Sequence, residues 1–369
     1  MKLIYITTKT FPASTADHVY VQKMAEAYAA VLGNSFTFVV NNDNSNNLQK
    51  VTQVHRLQLR PSLRSIRFFF VFPSLYRKLK TQERTVWMSN DTYLLLTLLF
   101  YKLFFTRMEV CSDWHVLKDS LLYRLTARGS TFCLCVTSYL RKTLIEKFSV
   151  DPKRIFVSPN GIDLSVFDKK DTKESARGKL QLPSNKILLG YFGRFKTMGM
   201  DKGIADILQA LAKLDDSFIF FAAGGYEKDI RYYQKLADEA GVSGRVFLRG
   251  ESTQDELALY QKACDILLMP FPFNEHYAYH MSPMKMFEYM ASERPIISSD
   301  LPSVRDVLNE KNALFVAPDN PLQLATAIEK LSSDKALSQK LAIQARQDVN
   351  DRTWDHKASA IVAFLEGKL

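Results

Sequence analysis

Short apolar runs alternate with longer helical patterns along most of the chain, and this alternation is the feature that most constrains the fold. Residues 2–7 form an apolar run, a helical pattern covers residues 17–32, and residues 36–40 form the next apolar run. Strands separated by helices in this way are typical of a parallel sheet with helices on both faces. The first part of the chain therefore predicts a doubly wound α/β domain.

A second cycle of the same alternation begins at residue 186. The stretch before it, residues 168–184, is polar and charged and ends in a Pro-Ser turn signal. A chain of 369 residues also suits two domains of roughly 150–200 residues each. We therefore predict an α/β protein with one domain at residues 1–168 and another at residues 169–352. An amphipathic pattern at residues 353–369 predicts a last helix that packs back onto the first domain.

The composition is that of a globular cytoplasmic protein. Apolar residues make up 47% and charged residues 24% of the chain, which excludes a disordered polypeptide. The four cysteines lack metal-ligand or disulfide-framework spacing, and the first residues are too polar for a signal peptide.

The longest apolar run, residues 93–105, is interrupted by Thr97 and Lys102 and is shorter than the roughly 17 residues of a spanning helix. We expect it to be a buried helix.

Positive charge is concentrated in the first part of the chain. Residues 1–150 hold 20 Lys and Arg against 9 Asp and Glu, whereas residues 151–369 hold 29 against 30. No acid lies between Asp43 and Glu83, where cations are interleaved with aromatic residues: Lys50, Arg56, Arg60, Arg64, Arg67, Arg77, Lys78 and Lys80, with Phe68, Phe69, Phe70, Phe72 and Tyr76. Anionic lipid headgroups, nucleic acid and an ordinary solvated face are the alternatives. We predict peripheral contact with the inner face of an anionic membrane and no nucleic acid.

The loop after the first predicted strand, TKTFPASTADH, contains no glycine. It is therefore not a dinucleotide-binding fingerprint, whose glycines let the backbone approach a pyrophosphate. A nicotinamide cofactor is not expected.

Ligand chemistry is most clearly indicated after residue 280, beyond a predicted strand and a long loop. In an open parallel sheet, ligands bind outside the carboxyl ends of the strands. We predict Ser282 as the N-cap and Pro283 as the first residue of a helix whose free N–H groups favour a phosphate. Glu288 follows on that helix and is placed to accept hydrogen bonds from two ribose hydroxyls. A phosphate site and a ribose-binding carboxylate on one helix together predict a binding site for a nucleoside diphosphate.

Lys285 and Glu288 are three residues apart and therefore share a face of the predicted helix. The alternative to a ligand role is a surface ion pair between them, which would contribute about a few tenths of a kcal/mol.

The segment SPMKMFEYMA, followed by Pro295 and Ile296, resembles the "SPxKxFEYMA…PI" form of the signature of retaining glycosyltransferase family 4. SPNGIDLSVF at residues 158–167 and YFGRFKTMGMDKGI at residues 191–204 are similar to two further segments of that family. The resemblance implies a GT-B fold, with two Rossmann-like, doubly wound domains that face a central cleft. It also implies a hexosyltransferase-type enzyme with a nucleotide-sugar donor, and retention of the anomeric configuration.

The resemblance assigns roles position by position. Arg194 and Lys202 match the arginine and lysine that hold the donor diphosphate and stabilise it as a leaving group, where charge develops in the transition state. His115, in the segment EVCSDWH, matches a histidine that hydrogen-bonds a hydroxyl of the donor sugar. The donor-binding positions are Gly193, Gly224, Gly250, His280, Met281, Ser282, Pro283, Lys285 and Glu288. The acceptor-side positions are Ser14, Thr15 and His18.

One position departs from the family's common pattern. The first of its two glutamates would lie eight residues before Glu288, where this chain has His280. An acid, base or nucleophile role at that position is therefore not expected. No Asp-x-Asp occurs in the sequence, so we expect no metal and no cofactor, with a UDP- or GDP-sugar as the substrate.

These features together predict a glycosyltransferase that moves a sugar to a glycan or lipid-linked acceptor in bacterial-type surface polysaccharide or glycolipid synthesis. A sugar-nucleotide epimerase of the same fold would also use Arg194, Lys202 and Glu288, but it needs an acid and a base for which the sequence offers no candidate. A nucleotide-sugar-binding protein without turnover is the third alternative, and His280 is the residue that motivates it.

Overall fold

The structure is a computed structural model that describes residues 1–12, 15–43, 48–60, 63–105 and 107–368. Within these ranges the chain forms two compact units, one made of Met1–Asn160 with Trp354–Leu369 and the other of Gly161–Thr353. The predicted boundary after residue 168 differs from this division. The reason is that Ile162 and Phe167 already lie in the hydrophobic core of the second unit.

The first unit, as far as it is described, is built on a seven-stranded parallel sheet in the order β5-β3-β1-β6-β7-β8-β9. The strands of the first unit are β1 Lys2–Ile6, β2 Thr10–Phe11, β3 Phe36–Val40, β4 Asn42–Asp43, β5 Val54–Arg56, β6 Thr85–Ser89, β7 Met108–Trp114, β8 Phe132–Cys135 and β9 Ile155–Val157. Of these, β2 and β4 pair with each other outside the seven-stranded sheet. The helices of this unit are α1 Ala16–Leu32, α2 Arg64–Leu79, α3 Thr92–Lys102, α4 Leu121–Gly129 and α5 Ser138–Glu146. The strand order reverses between β1 and β6.

The central strands of this sheet are buried along almost their whole length, which is typical of parallel sheets. All five residues of β3 and of β6 are buried, as expected where helices cover both faces of a sheet.

The helix α3 differs from the prediction for residues 93–105, because it buries only one face. Leu94 and Leu98 pack in the core, whereas Leu103 and Phe104 at its end are exposed. No helix in the described ranges is long and apolar enough to cross a bilayer.

The second unit is also Rossmann-like, with a six-stranded parallel sheet among its described residues in the order β14-β13-β10-β15-β16-β17. The strands of the second unit are β10 Ile187–Phe192, β11 Lys196–Thr197, β12 Met200–Asp201, β13 Phe218–Ala223, β14 Val246–Arg249, β15 Ile266–Met269, β16 Ile296–Ser299 and β17 Leu314–Val316. Of these, β11 and β12 pair with each other outside the six-stranded sheet. The helices of this unit are α6 Leu164–Phe167, α7 Lys173–Leu180, α8 Ile204–Leu211, α9 Glu227–Glu239, α10 Gln254–Ala263, α11 Met284–Ala291, α12 Pro302–Arg305, α13 Pro321–Ser333 and α14 Lys335–Asp348. Here the strand order reverses between β10 and β15.

The last helix, α15 Trp354–Leu365, belongs to the first unit, which confirms the predicted return of the chain. Its indole and phenyl groups explain this placement. Trp354 packs on Tyr20 of α1 with ring centroids 5.9 Å apart, and Phe364 stacks on Phe156 at 5.1 Å. Lys357 Nζ donates a hydrogen bond to the carbonyl oxygen of Ser158 at 2.6 Å, so the helix is also joined to the first unit by a buried cation.

Candidate functional site

The reversal of strand order in the second unit defines the position at which a doubly wound sheet binds ligands. The strands on either side of it, β10 and β15, end at Phe192 and Met269. The loops that begin at Gly193 and Pro270 therefore leave the sheet side by side. Most of the sequence-predicted donor residues lie on these loops and on α11, whereas Gly224 and Gly250 directly follow β13 and β14.

Two glycines let the loops at this edge pack closely. Gly193 has φ +115° and Gly224 has φ +112°, a region that side chains rarely adopt. A Cβ on Gly224 would lie 2.6 Å from the carbonyl carbon of Gly193. The Gly224 N–H donates to the carbonyl oxygen of Gly250 at 2.8 Å, so the three predicted glycines form one continuous backbone surface.

Lys202 is held in place by the residues on either side of it. The carboxylate of Asp201 accepts hydrogen bonds from the backbone N–H groups of Gly203 at 2.8 Å and Ile204 at 3.0 Å. Gly203 has φ +91°, and a Cβ there would lie 1.8 Å from the carbonyl oxygen of Pro270. The loop that carries Lys202 is therefore pressed against the end of β15.

This close approach leads to a first prediction. Gly203→Ala is expected to displace the loop, to lower the free energy of unfolding by about 1–3 kcal/mol and to weaken binding of UDP at least about tenfold. Thermal unfolding with and without UDP measures both effects. Gly199→Ala is the matched control, because Gly199 also has positive φ, at +78°, but has no atom near its ideal Cβ. Equal effects of the two substitutions would contradict the role of the Pro270 contact.

Three cations converge on this edge of the sheet. Burial, with a contribution from the charge of Arg194, lowers the pKa of Lys202 to about 8. Burial also lowers the pKa of Lys285 well below its ordinary value, and the charge of Lys202 adds to the effect. Lys285 Nζ lies 3.4 Å above the ring of Tyr191 and, within the described ranges, has no hydrogen-bond acceptor. The cluster of Arg194, Lys202 and Lys285 therefore carries positive charge that protein carboxylates compensate only in part.

Arg194 is the cation of this cluster that has a carboxylate partner. Its guanidinium group pairs with Glu251 and lies 4.0 Å from the centre of the Tyr226 ring. Nη1 of Arg194 is nevertheless buried without an acceptor among the described residues. A donor that is buried and unpaired is costly unless a ligand satisfies it.

The helix α11 begins one residue later than predicted. Its N-cap is Pro283, whose ψ of 127° is extended, so the prediction of Ser282 as N-cap and Pro283 as first helical residue is wrong. Because proline has no N–H, the free donors of the first turn begin with Met284. Met281 and Ser282 are buried just before the helix.

Lys285 and Glu288 do not form the surface ion pair that was the alternative to a ligand role. Lys285 is only 8% exposed, and its Nζ is buried without a hydrogen-bond partner among the described residues. Burial raises the pKa of Glu288 to about 7, while the charge of Lys285 opposes the rise. The carboxyl group of Glu288 therefore takes up a proton more readily than an exposed glutamate does.

A short π-helix, His276–His280, brings a residue to this site that the sequence analysis missed. Burial lowers the pKa of His276, and the charges of His280 and Lys202 lower it further, so His276 lies near Lys202. Burial likewise lowers the pKa of His280, which Glu275 opposes. Single turns of π-helix occur frequently at functional sites. The spacing of the two histidines, four residues apart in the loop after a predicted strand, is the signal that could have indicated His276.

His115, the candidate for contact with the donor sugar, directly follows β7 in the first unit. Its Nε2 lies 3.5 Å from Oδ2 of Asp113, and its ring packs on Tyr20 at 4.2 Å. Tyr20 Oη donates to the same carboxylate oxygen at 2.7 Å. Although burial alone would raise it, the pKa of Asp113 lies below its ordinary value because of His115, Lys357 and Tyr20. Asp113, which the sequence analysis did not assign, is therefore an ionised neighbour of His115.

Of the acceptor-side candidates, Thr15 is the N-cap of α1 and His18 lies in its first turn, not in a loop before the helix. Ser14 is outside the described residues. Thr15 Oγ1 lies 2.6 Å from Nδ1 of His18, and the His18 ring packs on Phe11 at 5.7 Å. Burial and the charge of Lys9 lower the pKa of His18. In the ranges that the structure describes, no group of three or more His, Cys, Asp or Glu side chains could hold a metal ion.

Two family profiles match the chain, each over one of its units. The profile described as "Glycosyltransferase Family 4" matches residues 18–166, and that described as "Glycosyl transferases group 1" matches residues 172–348. D-inositol 3-phosphate glycosyltransferase of Streptomyces bingchenggensis is 26% identical over 227 residues, which are 59% of this chain and 48% of that protein. The putative teichuronic acid biosynthesis glycosyltransferase TuaH of Bacillus subtilis is 24% identical over 53% of this chain and 47% of its own. The chain thus spans about half the length of the curated relatives it matches.

Solved structures match over the whole chain. HepE of Anabaena in complex with UDP superposes with a TM-score of 0.78 and 15% identity, covering 100% of both chains. Sucrose-phosphate synthase of Thermosynechococcus elongatus gives a TM-score of 0.77 and 18% identity, covering 99% of this chain and 98% of its own. At these identities the likeness establishes the fold, and it confirms the predicted pair of Rossmann-like domains.

Proposed function

This chain belongs to the group 1 glycosyltransferases, and from that premise we propose that it transfers a hexosyl group from a nucleoside diphosphate sugar to a glycan or lipid-linked acceptor. The observation that carries the proposal is the cation cluster of Arg194, Lys202 and Lys285 at the carboxyl edge of the sheet. Its buried, unpaired donors and depressed lysine pKa values are those of a site built for an anion.

The reaction breaks the bond between the anomeric carbon of the sugar and an oxygen of the diphosphate. The electron pair of that bond goes to the leaving diphosphate, so negative charge grows where the cluster lies. Fixed cations stabilise this charge more in the transition state than in the bound donor, which accelerates the reaction. Because the cations already supply this charge, we propose that the transfer needs no divalent metal ion.

The nucleoside is held, in this proposal, by the carboxylate of Glu288 on α11 through the two ribose hydroxyls. We propose UDP as the nucleotide, since HepE, which has the same fold, has been solved with UDP and with UDP-glucose. In the first unit, His115 would hydrogen-bond a hydroxyl of the donor sugar, with the carboxylate of Asp113 lying 3.5 Å from its Nε2.

Retention of the anomeric configuration fits the histidine at position 280. If the acceptor attacks from the face that the diphosphate leaves, a phosphate oxygen can take the acceptor's proton. No side-chain base is then required, and a buried histidine can replace a glutamate at this position without loss of the mechanism.

For the acceptor, we propose a lipid-linked glycan of surface polysaccharide synthesis, made at the inner face of a membrane. The name of the related TuaH refers to teichuronic acid biosynthesis. A solved glycosyltransferase of lipopolysaccharide biosynthesis, WaaG, shares the fold with a TM-score of 0.68.

Product analysis tests the proposed reaction against its alternatives. The protein is incubated with UDP-sugars and a panel of lipid-linked and soluble glycan acceptors, and the products are identified by mass spectrometry and nuclear magnetic resonance. We expect UDP and a glycosylated acceptor with unchanged anomeric configuration. An epimerised nucleotide sugar would establish the epimerase instead, and tight binding without any product would establish a binding protein.

The pKa values of Glu288 and Lys202, two of the perturbed groups of the site, predict how donor affinity depends on pH. Binding of ribose hydroxyls favours ionised Glu288, so below about pH 7 binding must release a proton and the affinity falls with decreasing pH. Binding of the diphosphate favours charged Lys202, so above about pH 8 binding must take up a proton and the affinity falls with increasing pH. The affinity should therefore be highest between about pH 7 and pH 8, with up to about a tenfold loss per pH unit on either side.

Calorimetric titration with UDP-glucose checks this profile, because both of its phosphates are esterified and stay ionised across the range. Glu288→Gln should remove the acidic limb and Lys202→Met the alkaline limb. A profile that stays unchanged in both variants would contradict the assignment.

A further inference from the structure

A group of apolar side chains is exposed on two neighbouring helices of the first unit. On α2 and just before it, Leu63, Ile66 and Phe70 point outward, and Phe70 is 74% exposed. At the end of α3, Leu103 is 78% and Phe104 is 64% exposed. We call the surface formed by Leu63, Ile66, Phe70, Phe100, Leu103 and Phe104 the aromatic patch.

The aromatic patch is continuous across the two helices. Phe69 of α2 contacts Phe70 with ring centroids 5.6 Å apart and contacts Phe100 of α3 at 5.1 Å. Phe100 in turn contacts Phe104 at 5.4 Å. Exposed apolar residues scattered singly are normal on a soluble protein, but a contiguous group of this kind marks an interaction surface.

Core packing does not account for these residues, because α2 has a separate apolar face toward the sheet. Phe68 and Phe72 are fully buried in the core of the first unit, and Leu75 packs beside them. Ile66 and Phe70 are four residues apart and lie on the opposite side of the helix. The helix is thus apolar on both faces, and only one of these is covered by the first unit.

The helices that carry the aromatic patch also carry exposed cations on them or just after them. Arg67, Arg77, Lys78 and Lys80 are exposed on or just after α2, and Arg107 is exposed just after α3. The sequence has no acid between Asp43 and Glu83, so no carboxylate of this stretch offsets these charges.

We propose that the aromatic patch docks on the surface of an anionic lipid bilayer, with Phe70, Leu103 and Phe104 entering the headgroup and acyl boundary. Apolar insertion and attraction of cations to anionic lipid act together in this kind of binding. A second copy of the chain fits less well, because a symmetric contact would bring like charges together. Nucleic acid fits less well too, since Ile66 and Leu103 are aliphatic and offer no stacking surface.

This docking does not depend on the proposed sugar transfer, so each can be tested while the other fails.

Vesicle flotation measures the docking, with vesicles of phosphatidylcholine alone and of phosphatidylcholine mixed with phosphatidylglycerol. The wild-type protein is expected to float with the anionic vesicles, and added salt should reduce the bound fraction. The combined variant Phe70→Ser, Leu103→Ser, Phe104→Ser should bind at least about tenfold more weakly. Because serine replaces exposed side chains, its thermal unfolding and its response to UDP should match those of the wild type.

Leu322→Ser is the matched control, since Leu322 of the second unit is also exposed, at 64%, and lies outside the aromatic patch. It should float as the wild type does. The proposal is overturned if the wild type stays in the soluble fraction with both kinds of vesicle, or if the triple variant floats as well as the control. It is equally overturned if the substitutions instead abolish a dimer seen by light scattering, or binding of a single-stranded RNA.

Discussion

Replacing Lys202 or Arg194 by alanine is expected to lower the turnover number of sugar transfer by about 10²–10³-fold. Each side chain contributes positive charge next to the leaving diphosphate, and Lys202 is already partly desolvated, as its pKa of about 8 indicates. A charge fixed in a partly buried site needs little reorganisation when the anion develops, which is why its removal affects the chemical step. Steady-state kinetics with a UDP-sugar separates this loss from a change in KM.

Lys196→Ala is the matched control for these variants. Lys196 lies on the same loop, but its Nζ lies 3.8 Å above the ring of Tyr232 instead of joining the cluster. The control should retain a turnover number close to that of the wild type. Near-normal turnover of the Lys202 and Arg194 variants would contradict their role in stabilising the leaving group. Arg194→Lys should recover part of the activity if charge is the essential property.

Replacing Glu288 by glutamine is expected to weaken binding of a UDP-sugar by about 10–100-fold. Hydrogen bonds to a charged group contribute about 1.5–3 kcal/mol, and glutamine presents one acceptor oxygen where the carboxylate presents two. The sharpest test compares donors with and without the ribose 2′-hydroxyl. Removing that hydroxyl should weaken binding to the wild type, but it should have little effect in the Glu288→Gln protein.

Loss of stability should not account for the effect of Glu288→Gln. Because the folded-state pKa of Glu288 is about 7 and lies above its ordinary value of 4.5, the folded protein binds more protons between these values. Its stability therefore falls as pH rises through this window, and a neutral side chain removes that cost.

Glu293→Gln is the control for the binding experiment, since Glu293 lies just after α11 and pairs with Lys262. If both variants bind the two donors alike, Glu288 does not hold the ribose.

Most of the fold could be predicted because its determinants are local. Strands such as β3 and β6 are mostly apolar and are buried at every position, and Gly33 ends α1 as the sequence suggested. The boundary between the units was harder, because the charged stretch after residue 168 looks like a linker. Phe167 and Ile162, just before it, are held by the core of the second unit, which is a long-range effect that a local pattern does not contain.

The candidate site was predictable where a motif specified it and was missed where distant residues meet. Arg194, Lys202 and Glu288 lie in sequence motifs that resemble those of the family and that assign each of them a role. Asp113 and His276 do not, because their importance comes from Tyr20 at 2.7 Å in the first case and from the nearby Lys202 charge in the second. The exposure of Leu103 and Phe104 was also missed, since an apolar run shows the amount of apolar surface but not how much of it the neighbouring helices cover.

The central claim is that the cation cluster holds the diphosphate of a nucleotide-sugar donor, and calorimetric titration of the metal-free protein tests it most directly. UDP, UMP and uridine are compared in the presence of a chelator, with wild type and Lys202→Ala. The account predicts that UDP binds much more tightly than UMP and that Lys202→Ala removes most of this difference. Equal affinities for UDP and UMP in the wild type, or an unchanged preference for UDP in the variant, would contradict it.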